Sequence, residues 1–399
     1  MATRHLVGLD VGSKFIKALQ LSESSGRCRI TEFGIAEVSP QVSVPDAVME
    51  LFSRKSFQTK RVVSSVSGRF VFVRYINMPV MTDDELANAA KYELGKYIPV
   101  EVDEVLHDSQ KLEELAAQEG QEAEMRVLLV AAKRTFVDEH VASLETAGLQ
   151  PAIVDVDSFA LGNAYEMAGM INPQAISAGK LVALVDIGAS KTNINIMSDA
   201  MSYFTREFYK GGDDLTDSLS KKLSMEAREA EMMKRRALAL EGGPPSSKLP
   251  IVVLEEGDAE RLKSPTRAHR PGDPTTNVPL VVVDRDETGT RTRGADTSID
   301  RIQDSIGGVI EDICHDINIS IDYFENQYDR KVDEVLVTGG ASLSLGLLET
   351  LERMVQKPVT RWNPFPHLEM DLSRDSLEEL QDNNFQSSIA LGLASRILD

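Results

Sequence analysis

The sequence predicts an α/β protein built of two related lobes around a cleft, and three observations carry that prediction. A short pattern, in which an apolar strand ends on aspartate and runs through glycine, serine and lysine into a second strand, occurs twice. The first copy is Val7-Gly8-Leu9-Asp10-Val11-Gly12-Ser13-Lys14 and the second is Leu184-Val185-Asp186-Ile187-Gly188-Ala189-Ser190-Lys191-Thr192, with one extra turn residue. Third, the apolar strand pattern Val332 to Thr338 leads into Gly339-Gly340-Ala341-Ser342 and a helical run from Leu343 to Val355. At 399 residues the chain is too long for one ordinary core, which fits two or more domains.

The two turns have a readable chemistry. A carboxylate at the end of an apolar strand is costly unless a cation or water shell occupies it. Mg²⁺ prefers one or two carboxylates together with waters and phosphates, so Asp10 and Asp186 are the candidate metal ligands, facing one another across a cleft. Gly12 and Gly188 let the backbone turn sharply and present successive N–H groups to an anion. Ser13, Ser190 and Thr192 add hydroxyls, and Lys14 and Lys191 add point charges beside phosphate oxygens. Gly339, Gly340 and Ser342 offer bare backbone against which a flat ring or a phosphate can lie.

In this order the three segments resemble the phosphate 1, phosphate 2 and adenosine segments of the actin, Hsp70 and sugar kinase superfamily. The resemblance implies an actin-like (ribonuclease H-like) two-lobed ATPase fold that takes ATP with Mg²⁺.

Composition narrows the partners. A formal charge of −20 and no long basic stripe argue against a nucleic acid. Cys28 and Cys314 are too few for a disulfide framework, and no long apolar span is present, which together fit a reducing cytoplasm and no direct membrane insertion. The six scattered histidines predict no structural metal.

Residues 5 to 75 alternate strand patterns, at Leu6 to Asp10, Phe15 to Leu21, Arg29 to Val38, Arg61 to Ser67 and Phe70 to Ile76, which predicts a mixed sheet. Thr82 and Glu85 form a capping box for a helix ending before Pro99. That helix, strands around Glu104 to Leu112 and Met125 to Lys133, and a helix from Phe136 to Ala147 compose a small inserted unit. Pro151 to Asp157 reads as a strand delivering two carboxylates, followed by a helix to Ala168. After the Asp186 hairpin, Gly211 and Gly212 precede a long helical stretch through Arg236, in which Glu231 and Lys234 share one face. Residues 241–297 are rich in Gly, Pro, Ser and Thr and poor in large apolar residues, predicting a disordered insertion. A helix from Ser298 to about Asn326 carries an apolar stripe. The expected division is 1–78 plus 151–178 and 385–399 for lobe 1 (1A), 79–150 for the inserted α+β subdomain (1C), 179–212 plus 332–384 for lobe 2 (2A), and 213–331 for subdomain 2B.

A narrower resemblance follows from Met81 to Pro99, Phe204-Thr-Arg-Glu-Phe208 leading to Gly211-Gly212, Ala230 to Arg235, and Arg361-Trp-Asn-Pro-Phe365. These segments resemble the type IV pilus assembly protein PilM and its relative FtsA, whose extra subdomain is called 1C. The resemblance implies an ATP-binding cytoplasmic scaffold, peripheral to the inner membrane, that binds the N-terminal peptide of a PilN-like inner-membrane protein between 1A and 1C. In Hsp70-like and FtsA-like proteins the helix matching Glu231 and Lys234 serves ribose and adenine. Actin-like folds also self-associate into filaments. As an ATPase the chain would use Asp10, Asp186 and Asp157, with Asp157 placing the nucleophile, but Asp155 to Tyr165 contains no Gln or Glu base, so hydrolysis is expected to be weak. The rivals are an FtsA-like division protein, expected to carry a C-terminal amphipathic helix after the Ser387 to Ser395 helix, a GspL-like secretion component, expected to carry a membrane span, and a sugar or acetate kinase, expected to need an acceptor pocket with its own base.

Overall fold

The structure is a computed structural model that describes residues 3–39, 41–115, 123–173, 176–240 and 293–398. Its first sheet holds β1 (Arg4–Val11), β2 (Phe15–Ser24), β3 (Arg27–Glu37), β4 (Arg61–Val66), β8 (Gln150–Val156) and β14 (Glu369–Met370), in the order β14-β3-β2-β1-β4-β8. The second holds β9 (Val182–Ile187), β10 (Thr192–Ser198), β11 (Met201–Phe208), β12 (Glu334–Thr338) and β13 (Val359–Arg361), in the order β11-β10-β9-β12-β13. Each predicted Asp-Gly hairpin joins two neighbouring strands of its sheet, β1 with β2 and β9 with β10.

Both sheets are covered on both faces, which is why their central strands read as nearly continuous apolar runs. On the outer face of the first sheet, Val7, Leu9, Ile16 and Ala18 pack with Val48 and Leu51 of α1 (Val44–Arg54) and Leu144 of α3 (Arg134–Thr146). On the outer face of the second, Val185, Ile187, Ile194 and Val337 pack with α5 (Gly212–Leu223), α7 (Arg293–Tyr328) and α8 (Leu347–Val355). Between the sheets lies a shared helical layer of α4 (Asp157–Ile171) and α10 (Ser388–Ala394), which takes Leu6, Leu19 and Val63 from one side and Val182, Leu184 and Leu336 from the other. Leu380 of α9 (Arg374–Asn383) joins the same core.

The small unit is a three-stranded sheet, β5 (Val71–Pro79), β7 (Glu124–Lys133) and β6 (Val105–Leu115), under α2 (Asp83–Tyr97). The Thr82–Glu85 capping box forms as expected, and Leu86, Ala90 and Leu94 face the sheet.

Several boundaries differ from the sequence reading. The small unit begins at β5 rather than residue 79, because Val71 to Pro79 pairs along its length with β7 and with no strand of the first sheet. It ends near Lys133, because α3 buries Leu144 in the first sheet's outer core. Lobe 2 hands the chain back before residue 385: Trp362, Phe365 and Leu368 lie in the shared core, and β14 pairs with β3. Helix α1 has no counterpart in the predicted strand-only stretch, although Ser43 caps it by accepting from the Asp46 amide and Val44, Ala47, Val48 and Leu51 have helical spacing. The long helix after Gly212 is two helices, α5 and α6 (Ala227–Leu240), broken at Ser224, which takes a left-handed conformation with φ of 54°. Helix α7 starts at Arg293, inside the predicted insertion, whose residues 241–292 and apolar runs Ile251 to Leu254 and Leu280 to Val283 lie outside the described residues. Gly340 opens a short 3₁₀ turn to Leu343, and α8 starts only after Gly346, so the Gly-Gly pair is not directly joined to a helix.

Candidate functional site

Strand parity explains the site. Leu6, Gly8 and Asp10 share one face of β1, and Val182, Leu184 and Asp186 share one face of β9; both faces look inward on the shared layer. Where that layer gives way to a cleft of about 840 Å³, the next residue in each series is a carboxylate. The volume falls within the ~300–1,000 Å³ usual for small-molecule sites. Both lobes line the cleft, and of the sequence-predicted residues it brings together Asp10, Gly12, Ser13, Lys14, Asp157, Asp186, Gly188, Ser190, Lys191, Gly212, Glu231, Lys234, Gly339 and Gly340.

Three predicted residues do not line it. Thr192 is fully buried and donates its hydroxyl to Lys210 O, fastening the end of the second hairpin. Gly211 lies behind the turn, where a Cβ would come within 2.7 Å of Gly188 O, so its lack of a side chain lets the loop before α5 dock on the hairpin. Ser342 donates to Gly339 O at 2.6 Å and closes the 3₁₀ turn instead of meeting a ligand.

Lys17, Asn193 and His140 are among the cleft residues that escaped the sequence reading. Lys17 stands opposite Asp10 in the strand register, and its Nζ lies 2.9 Å from Asp10 Oδ2. Counting across the hairpin turn would have found it. Asn193 stands opposite Asp186 in the same way, and its Nδ2 is buried without a hydrogen-bond partner. His140 comes from α3, which the sequence reading placed in the small unit, so no local pattern pointed to it.

Both turn lysines are engaged across the cleft, each with the opposite lobe. Lys14 Nζ, from the first hairpin, lies 2.9 Å from Asp213 Oδ1 and 3.2 Å from Glu231 Oε2. Lys191 Nζ, from the second, lies 2.8 Å from Asp157 Oδ2, bonds Ser67 Oγ, and lies 3.3 Å from Glu207 Oε2 of its own lobe. At the centre Ser190 Oγ meets Ser13 Oγ at 2.9 Å. The hairpins thus form a reciprocal clasp.

Charge in the cleft is tightly coupled. Burial raises the carboxyl of Asp186, with Asp10 and Asp157 adding to the rise and Lys17 opposing it, to a pKa of about 6. Burial likewise raises Asp10, against the nearby Lys17. Asp157 is also buried, yet Lys191 and the Ser67 hydroxyl outweigh that burial and hold it below the usual carboxylate range. Beside the cleft, Glu231 accepts from Lys14, Lys234, Arg235 and Thr216, while Lys234 spends its donors on Glu231, Gly212 O and Thr216 Oγ1. These groups form a partly buried node joining α5 to α6, in which their polar atoms are already paired within the protein.

The donor set fits a magnesium-bound polyphosphate. Asp186 has no side-chain hydrogen bond among the described residues, and the unpaired Asn193 amide calls for an acceptor oxygen. Among the described residues no group of three or more His, Cys, Asp or Glu could hold a metal by protein ligands alone. Mg²⁺ needs fewer, since phosphate oxygens and water complete its shell.

The family model for type IV pilus assembly protein PilM matches residues 8–240. The chain belongs to the PilM family. That match contains the first hairpin, the small unit and the second hairpin, whereas a model for cell division protein FtsA matches residues 183–390. The curated cell division protein FtsA of Streptococcus pneumoniae serotype 2 is 22% identical over 259 residues, 57% of this chain and 54% of that protein, so the match spans about half the relative's length. A solved PilM-PilN type IV pilus biogenesis complex is similar at 20% identity and a TM-score of 0.72, covering 99% of this chain and 98% of that one. Within the PilM family the expected actin-like, ribonuclease H-like two-lobed fold with an inserted α+β unit is the fold found. No helix among the described residues is long and apolar enough to cross a membrane.

Proposed function

We propose that the protein is a nucleotide-dependent scaffold for a type IV pilus assembly platform, binding ATP with Mg²⁺ between the Asp10 and Asp186 hairpins. The observation that carries this reading is the pairing of those hairpins across one cleft, each ending on an inward carboxylate. Lys14 and Lys191 would exchange their present partners for phosphate oxygens, and Asn193 would donate to the same ligand. The similar solved complex pairs PilM with PilN; here a groove between lobe 1 and the small unit would take the N-terminal peptide of a PilN-like membrane protein and would thereby hold the chain beneath a membrane. Self-association is a further property this fold could lend to such a platform.

Slow hydrolysis is favoured over rapid turnover. Asp157 is paired with Lys191 and Ser67 and its pKa is lowered, so it is a weak proton acceptor. Purified protein mixed with Mg-ATP is expected to retain nucleotide through desalting and to release phosphate slowly or not at all. Fast release that disappears in Asp157→Ala would replace the scaffold with an enzyme, and failure to bind Mg-ATP would remove both. A synthetic peptide of the first dozen residues of a PilN-like protein is expected to bind as measured by calorimetry, and its failure to bind with and without ATP would sink the platform assignment.

A further inference from the structure

The small unit touches lobe 2 as well as the lobe from which it emerges. Tyr75 of β5 makes a 2.7 Å hydrogen bond with Ser202 of β11, and the Arg126 guanidinium of β7 lies 4.8 Å from the centre of the Tyr328 ring at the end of α7. The first of these contacts continues inward. Ser202 Oγ donates to Asn195 Oδ1 at 2.7 Å, and Asn195 Nδ2 donates to Ser158 O at 2.8 Å. Ser158 is in the first turn of α4, next to Asp157.

Donor counting gives this chain one direction. A carbonyl can only accept, so Asn195 must turn its Nδ2 toward Ser158 O and its Oδ1 toward Ser202. Ser202 has one proton and gives it to Asn195, which leaves its oxygen to accept from the Tyr75 hydroxyl. Every proton therefore points from the small unit toward α4. The α4 backbone is shaped for the arrangement: a Cβ on Gly162 would come within 2.9 Å of Asn195 Nδ2. A helix-interior glycine costs roughly 1 kcal/mol relative to alanine, and here it makes room for the amide.

We propose that Tyr75, Ser202 and Asn195 are positioning residues that couple the small unit to the cleft by fixing the first turn of α4, and with it Asp157. The proposal rests on the reading that the cleft binds nucleotide. Movement of the small unit pulls on the Tyr75 hydroxyl, and the pull reaches the residue that holds Lys191 and Ser67. The coupling is reciprocal, because linkage requires nucleotide in the cleft to act back on the small unit by the same factor.

The test uses the full chain with Tyr75→Phe, which deletes one hydroxyl, and Ser202→Ala as an independent interruption of the same path. Mg-ATP affinity is measured for each variant alone and in an Asp157→Ala background, and amide hydrogen exchange is followed across residues 157–161. Each single variant is expected to weaken Mg-ATP about fivefold in the wild-type background and to leave affinity unchanged once Asp157 is gone. Exchange at 157–161 should quicken in both variants while that of β1 stays constant. Equal losses in both backgrounds, or unchanged exchange at 157–161, would overturn the relay. If wild-type protein binds no nucleotide the functional reading fails, and the exchange measurement still decides the relay.

Discussion

Asp186→Asn is expected to abolish retention of Mg-ATP and, at the same time, to make the nucleotide-free protein more stable. The two effects share one cause: Asp186 is buried beside Asp10 and Asp157 in a place fit for a cation, and without a cation its charge is penalised. Folding raises its pKa from 3.8 to about 6. Below about pH 4 the carboxyl is protonated in both folded and unfolded chains, and the variant gains nothing. As pH rises from about 4 to 6 the unfolded chain releases this proton while the folded chain keeps it, so wild-type stability falls through that window. Above about pH 6 the penalty is fully developed, on the order of 3 kcal/mol. Melting curves of wild type and variant, recorded without nucleotide, should coincide near pH 4 and separate by pH 7 with the variant higher. A variant that melts lower than wild type at pH 7 would mean that Asp186 is compensated by the protein itself, and the cation-site reading would go with it.

The second large effect is expected at Gly392 in α10. A Cβ there would lie 1.7 Å from Ala160 O and 2.6 Å from Ala160 C, both backbone atoms of α4. On the other side of α10, a Cβ on Gly8 of β1 would lie 2.0 Å from Ala390 O. No side-chain rotation relieves either clash, so Gly392→Ala must force the two helices of the shared layer apart. The expected loss is about 4 kcal/mol or more, in the range that marks overpacking of a rigid backbone contact. Soluble yield and melting temperature should both fall. Gly307→Ala in α7 is the control, because its Cβ would meet nothing within 4 Å and the change should be neutral or slightly stabilising. Melting of Gly392→Ala within a degree of the control would show that the layer is looser than its packing indicates.

Legibility in the sequence followed the range of the interaction. The hairpins, the capping box at Thr82 and the inward carboxylates were readable because the signals lie within about ten residues of one another. Lys17 and Asn193 were readable in principle, since each is the cross-strand partner of a recognised aspartate, but reading them requires counting through the turn. His140 and the partners of Lys14 and Lys191 were not readable. The Lys14–Asp213 bridge joins residues 199 positions apart, and nothing local distinguishes such a lysine from one free to meet phosphate. Glu231 and Lys234 were recognised as a pair on one helix face, yet their saturation by Thr216, Arg235 and Gly212 depends on how α5 and α6 meet. The mistaken outer limits of the small unit arose in the same way: β5 looks like any alternating strand until its partner is known.

The helical layer between the sheets also bears on how the chain is made. Strands β1 to β4 of the first sheet are translated early, but Gly8 on their inner face is covered by Ala390 and Ala394, which leave the ribosome only after the second sheet has been synthesised. Until then that face has only α4 and, once they are made, Trp362, Phe365, Leu368 and Leu380 for cover, and its apolar strands are available for wrong pairings of the kind that trap large nascent chains. A ribosome stalled after the second sheet should therefore hold a chaperone client, with the second lobe's outer core assembled while the lobe made first still waits for its last helix.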